Sequence, residues 1–147
     1  GRGGSPAALQ GREQLTTIPS TKIAAAAAYK MAGITAKDVD FAEVHDCFTV
    51  AEVVDTEDLG FFEKGTGATA ARNGDTKLNG SISINPSGGL KSKGHPIGAT
   101  GVGQVVEVFE QLTGKSGERT VNDAKIGLTQ NFGATGASCA VHVFQSV

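Results

Sequence analysis

The sequence predicts a single α/β domain with a partly parallel sheet. Apolar residues recur at helical spacing in some stretches and alternate in others, giving the order helix, strand, helix, strand, helix, strand, strand. A length of 147 residues suits one domain with its own core. Glycine supplies 21 of the 147 residues, about twice the usual ~7%. Many of these glycines fall between 65 and 103 and between 127 and 136, where loops lining a site are expected.

Residues 1–19 carry little periodicity and read as a loop that leads into the domain proper, 20–147. Ser20 has the character of an N-cap, residues 23–32 are strong helix formers, and Gly33 stands where a helix ends in a left-handed residue. Residues 41–46 alternate as a short strand, and a second helix is expected over 47–59 with Gly60 as its stop. The polar, glycine-rich stretch 63–80 is expected to be irregular before a strand at 81–84. After a second irregular stretch to 101, Val102, Val105, Val106, Phe109 and Leu112 fall at three- and four-residue intervals and predict one buried helix face. Two strands close the chain, at about 125–132 and 138–144, joined by a turn over 133–136 short enough for an antiparallel hairpin. Crossover units begin and end on strands, so a four-strand sheet whose chain opens on a helix is expected to lack the strand that feeds that helix.

Composition narrows the function. Lys and Arg number 13 against 15 Asp and Glu, a formal charge of −2 with no basic run, so no nucleic-acid partner is expected. The longest apolar run, 24–28, is far below the ~20 residues of a membrane span, no leader pattern opens the chain, and no membrane partner is expected. Two cysteines, Cys47 and Cys139, make no disulfide framework and favour a reducing, cytoplasmic setting.

Several residues could carry chemistry. His45, Asp46 and Cys47 lie where a strand hands over to a helix, the end of a parallel strand at which open α/β sheets place ligands. A helix N-terminus there would favour a thiolate at Cys47. The alternative is a small buried cysteine beside a satisfied core histidine. His95 stands in a loop between glycines, Gly94-His95-Pro96-Ile97-Gly98, which can hold an imidazole rigidly at a substrate oxygen; a plain glycine-rich turn is the alternative. Lys91-Ser92-Lys93 does not follow the order of a phosphate-binding loop. Cys139 and His142 have a C-x-x-H spacing, but three positions along a strand put side chains on opposite faces, against a zinc site.

His45-Asp46-Cys47-Phe48, Asn85-Pro86-Ser87-Gly88-Gly89, Gly94-His95-Pro96-Ile97-Gly98 and Gln130-Asn131-Phe132-Gly133 together resemble the C-terminal half of a thiolase, over about 7–144. The chain looks most like the branch with the sterol-carrier-protein thiolases and the archaeal acetyl-CoA acetyltransferases, where H-D-C-F replaces the N-E-A-F of other thiolases. The resemblance implies that His95 donates to a thioester oxygen in an oxyanion hole. His45 would help through a water, and Cys47 would be the acid/base thiol. Gly133 or Ala134 would lie near a second oxyanion hole. Most thiolases carry a C-x-G motif near the C-terminus, but Phe132 stands at its position here.

The thiolase nucleophile belongs to the family's N-terminal half, and Cys139, in the last strand, does not replace it. The resemblance therefore implies an incomplete catalyst, a fragment or one product of a split gene, working with an N-terminal half on another chain. It implies an acetyl-CoA C-acetyltransferase that makes or cleaves acetoacetyl-CoA, with coenzyme A thioester as substrate and no other cofactor. Biosynthetic use in the mevalonate pathway, a homo-oligomer and a complex with hydroxymethylglutaryl-CoA synthase are further expectations. The alternatives are a degradative 3-ketoacyl-CoA thiolase of the sterol-carrier-protein type and a non-catalytic subunit that binds acyl-CoA.

Overall fold

A computed structural model describes residues 1–146. The strands are β1 (Arg2–Gly4), β2 (Phe41–Glu43), β3 (Ser83–Ile84), β4 (Ile126–Gly133) and β5 (Ser138–Gln145). The helices are α1 (Pro19–Ala32), α2 (Thr49–Asp58), α3 (Gly67–Asn73), α4 (Gly89–Lys93) and α5 (Thr100–Leu112). The strands form one mixed sheet in the order β1-β5-β4-β2-β3. β2 runs parallel to β3 and β4, while β5 runs antiparallel to both β4 and β1.

The mixed α/β architecture with flanking helices stands as expected, but the four-strand count does not. Residues 1–19 contain β1, which pairs Arg2 with Ala140 and Gly4 with Ser138 and precedes α1 in the chain. The strand before the first helix, expected to be absent, is therefore supplied by three residues at the sheet edge. Its residues were unreadable as a strand because Gly3 and Gly4 have no side chain to alternate. Gly3 is needed there, since a β-carbon would collide with the Ser20 carbonyl of α1.

Strand alternation divides the core into two faces. On one, Ala42, Val44, Leu128, Phe132, Cys139 and Val141 pack against Ala24, Ala25 and Ala28 of α1 and Ala51 of α2. On the other, Phe41 packs with Val108 of α5 and Val121. The small side chains of α1 let it lie close to the sheet. The helix begins at Pro19 and not after a Ser20 cap: the Ile18 N–H donates to the Asp58 carboxylate at 2.6 Å, and the Ser20 hydroxyl donates to the Gly136 carbonyl at 2.7 Å. Gly33 ends it in the left-handed region at φ 70°.

Two further differences matter. The stretches read as irregular each hold a short helix, α3 and α4. In α5 most of the expected buried face is exposed: Val102 is 64% and Phe109 56% exposed, and only Leu112 of that set packs against the core, while Thr100, Gln104, Glu107, Val108 and Gln111 are buried. The polar residues win that face because they satisfy backbone groups at the sheet and the following loop. Gln104 Nε2 donates to the carbonyls of Glu43 and Gln130, and Gln111 Oε1 accepts the Val121 N–H at 2.9 Å.

Candidate active site

β2 ends at Glu43, and the chain continues through buried Val44, His45 and Asp46 to half-buried Cys47. Side chains from two distant segments hold this strand end, and two more brace one of them. The Val44 N–H donates to Asn85 Oδ1 at 2.8 Å, and the His45 N–H donates to Gln130 Oε1 at 2.9 Å. Gln130 Nε2 in turn donates to Asp55 Oδ1 at 2.8 Å and Thr21 Oγ1 at 3.0 Å. Each amide oxygen meets a backbone donor that the parallel ladder leaves free, so the segment is fixed where regular pairing stops.

Two buried carboxylates then fasten the segment after β3 to the end of β2. Glu43 accepts from the Ser87 N–H at 3.0 Å, the Ser87 hydroxyl at 2.7 Å and Lys93 Nζ at 3.2 Å. Burial pushes the Glu43 carboxyl up, opposed by the Lys93 charge and the Ser87 donors. Asp46 Oδ1 accepts the Leu90 N–H at 2.7 Å in the first turn of α4. Asn85 adopts φ 51° to turn the chain here.

Gly94, at φ 82°, ends α4 and delivers His95. His95 Nδ1 lies 2.7 Å from Thr100 Oγ1, at the start of α5. The His45 and His95 rings meet edge to face with centroids 4.9 Å apart and planes at 85°. The Phe132 ring also packs on His45, with ring centroids 4.4 Å apart. Burial, followed by the nearby His95, lowers the pKa of His45 against the opposing pull of Asn131 and Asp46. His45 is thus a neutral imidazole at neutral pH, able to donate through one nitrogen and accept through the other.

Cys47 follows at the same strand end. The expectation that a helix N-terminus makes it a thiolate is corrected: α2 begins at Thr49 with Phe48 as its N-cap residue. Burial raises the Cys47 pKa above that of an ordinary thiol, the Phe48 N–H opposes this, and Asp55 and Asp46 raise it further. Its resting form is the thiol.

Gly133 ends β4 directly after Phe132, and Ala134 opens the hairpin turn in the left-handed region at φ 54°. His45, His95 and Phe132 are therefore brought together, with Cys47, Gly133 and Ala134 adjacent to them in the chain. Cys139 is buried on the α1 side, where Thr21 Oγ1 lies 3.7 Å from its sulfur, and burial pushes its thiol up to about 11. His142 is exposed.

Sequence reading assigned no role to Thr100, Gln104, Gln130 or Asn131. Gln130 and Asn131 lay within a quoted motif, yet their partners come from α1, α2 and α5, and only the folded arrangement exposes them. Asn131 Nδ2 donates to Gln104 Oε1 at 3.2 Å, which links α5 to the strand behind His45.

Comparison with known proteins bears on this site. The family described as "Thiolase C-terminal domain-like" matches residues 1–146. The chain is 51% identical over 137 residues to an acetyl-CoA acetyltransferase of Methanothermobacter thermautotrophicus, covering 93% of this chain and 36% of that protein. It is 47% identical over 141 residues to sterol carrier protein 2 of Homo sapiens, covering 86% of this chain and 26% of that protein. Among solved structures, a chain of the Ltp2-ChsH2(DUF35) aldolase superposes with a TM-score of 0.84 at 20% identity, over 99% of this chain and 38% of that one, a likeness of fold. The chain thus spans between about a quarter and two-fifths of the length of these proteins.

Proposed function

This chain belongs to the thiolase C-terminal domain-like family, and from that membership we propose that it supplies the acid/base and oxyanion-binding half of an acetyl-CoA C-acetyltransferase. The observation that carries the reading is the edge-to-face contact of His45 and His95 at 4.9 Å, at the strand end that also bears Cys47. Two imidazoles side by side can each direct a ring N–H at one developing negative charge. Such fixed donors stabilise an enolate oxygen more than a ground-state carbonyl.

The nucleophilic cysteine would come from the polypeptide by which the relatives exceed this chain. In cleavage, that thiolate attacks the 3-keto carbonyl of acetoacetyl-CoA and the bond between C2 and C3 breaks. The electron pair is left as an acetyl-CoA enolate, whose oxygen accepts hydrogen bonds from His95 and from a water held by His45. The Cys47 thiol protonates the enolate carbon. The resulting Cys47 thiolate then takes the proton of an incoming coenzyme A thiol, which attacks the acyl-cysteine and regenerates the nucleophile. Condensation runs the same steps backwards. A Cys47 that rests as the thiol suits the first proton transfer. Gly133 and Ala134 would border the acyl-cysteine carbonyl. An N-terminal half, a homo-oligomer, a cytoplasmic location and association with a hydroxymethylglutaryl-CoA synthase complete the proposal.

The test is acetoacetyl-CoA cleavage by the protein assembled with a nucleophile-bearing half, comparing wild type with His95→Ala. Loss of turnover with retained acyl-CoA binding supports the reading. Faster turnover of long-chain or sterol-derived 3-ketoacyl-CoA would favour the degradative alternative, and undiminished activity in His95→Ala would remove the assignment.

A further inference from the structure

We propose that Thr100 is a positioning residue whose hydroxyl donates to His95 Nδ1 and so presents His95 as an Nε2–H donor. The inference rests on the reading of His95 as an oxyanion donor and adds what aims it.

The hydroxyl has one proton and two candidate acceptors, His95 Nδ1 at 2.7 Å and the Pro96 carbonyl at 3.2 Å. The Pro96 oxygen already accepts the N–H groups of Ala99 at 2.8 Å and Thr100 at 2.9 Å, which fill its two lone-pair directions. We assign the hydroxyl proton to the shorter contact with Nδ1; the reverse arrangement, Nδ1–H donating to the hydroxyl and the hydroxyl to the Pro96 carbonyl, is the outcome that the labelling experiment below would expose. A nitrogen that accepts cannot carry the ring proton in a neutral imidazole, so that proton sits on Nε2. Thr100 is itself fixed: it is 4% exposed and forms the first residue of the 13-residue α5. His95, by contrast, is exposed on a loop between two glycines. Among the described residues, the Thr100 bond and the edge contact with His45 are what hold the ring of His95.

The experiment uses the protein assembled with its nucleophile-bearing half and labelled with 15N-histidine, the His95 signals being identified by their loss in His95→Gln. At neutral pH, wild type and Thr100→Ser should show Nε2 protonated and Nδ1 as a hydrogen-bonded acceptor. In Thr100→Val, of the same shape but without the donor, the Nδ1 signal should move to that of a free acceptor. The same variant should lose between ~10- and ~100-fold in kcat for acetoacetyl-CoA cleavage with KM nearly unchanged, and Thr100→Ser should restore most of it. A protonated Nδ1 in wild type, or an Nδ1 signal unmoved in Thr100→Val, overturns the proposal whatever the activity. A shifted signal with unchanged kcat overturns its catalytic relevance. If His95→Ala retains full activity, the reading of His95 itself fails, and the tautomer result still decides the role of Thr100.

Discussion

Asp46 Oδ1 accepts the backbone N–H of Leu90 at 2.7 Å, across 44 residues of chain. One carboxylate thereby docks the segment that carries His95 onto the strand end that carries His45 and Cys47. Its second oxygen stands 3.4 Å from the Lys91 nitrogen. Asp46→Ala should lower the unfolding free energy by about 2 kcal/mol, the scale of a hydrogen bond to a charged acceptor, as read from urea denaturation. Asp46→Asn should recover part of the loss.

Gly89 sits at φ +64°, and a β-carbon there would collide with the Asp46 carboxylate. Gly89→Ala should therefore cost about 1–3 kcal/mol through strain and displacement of that carboxylate. Combined with Asp46→Ala it should cost less than the sum of the two single changes, because the collision partner is gone. A double-mutant cycle measures this.

Much of this arrangement was legible in the sequence, because it is local. The strand at Phe41, the αL stop at Gly33 and the closing hairpin follow from alternation and glycine placement. The motifs bearing His45 and His95 marked two side chains that the fold brings into contact. What was not legible depends on partners far along the chain. The amides of Gln104 and Gln111 face inward because they meet free backbone groups, and this reversed the face read for α5. Helical period alone gives the spacing of a stripe and leaves open which side is buried. The three-residue strand at Arg2–Gly4 was invisible for a different reason, since glycines carry no pattern.

The reversal in α5 has a direct stability test in the 147-residue chain. Val108→Ala should cost about 2 kcal/mol, because Val108 is 1% exposed against Phe41 and its two methyls lose burial. Phe109→Ser, at a larger but exposed residue, should change stability by no more than about 0.5 kcal/mol. Thermal or urea melts compare the two.

Asp55 is fully buried, and burial raises its pKa well above the ordinary carboxylate value despite donation from Thr21. A carboxyl whose folded pKa is raised binds its proton more tightly when folded. Its contribution to stability is thus full below the unfolded pKa and is lost as pH rises from about 4 through the raised folded value. Asp55→Asn, which keeps an acceptor for Gln130 Nε2, should gain stability relative to wild type as pH climbs through that window. Denaturation at several pH values gives the difference directly.

The two thiols should separate by pH and exposure. Burial, with Asp55 and Asp46, holds Cys47 above the ordinary thiol range, so its alkylation by iodoacetamide should be slow at pH 7 and keep rising past the pH at which a free thiol levels off. Cys139, more deeply buried and pushed up to about 11, should stay unlabelled until the protein unfolds. Peptide mass spectrometry after timed labelling distinguishes them.

The most direct measurement on the whole account is the rate of acetoacetyl-CoA cleavage by the protein assembled with a nucleophile-bearing half, wild type against Cys47→Ala. Removing an acid/base thiol should lower kcat by about 100-fold or more, with formation of the acyl-cysteine on the other half still detectable by mass. Unchanged turnover in Cys47→Ala would contradict the catalytic role and leave this chain as an acyl-CoA-binding partner.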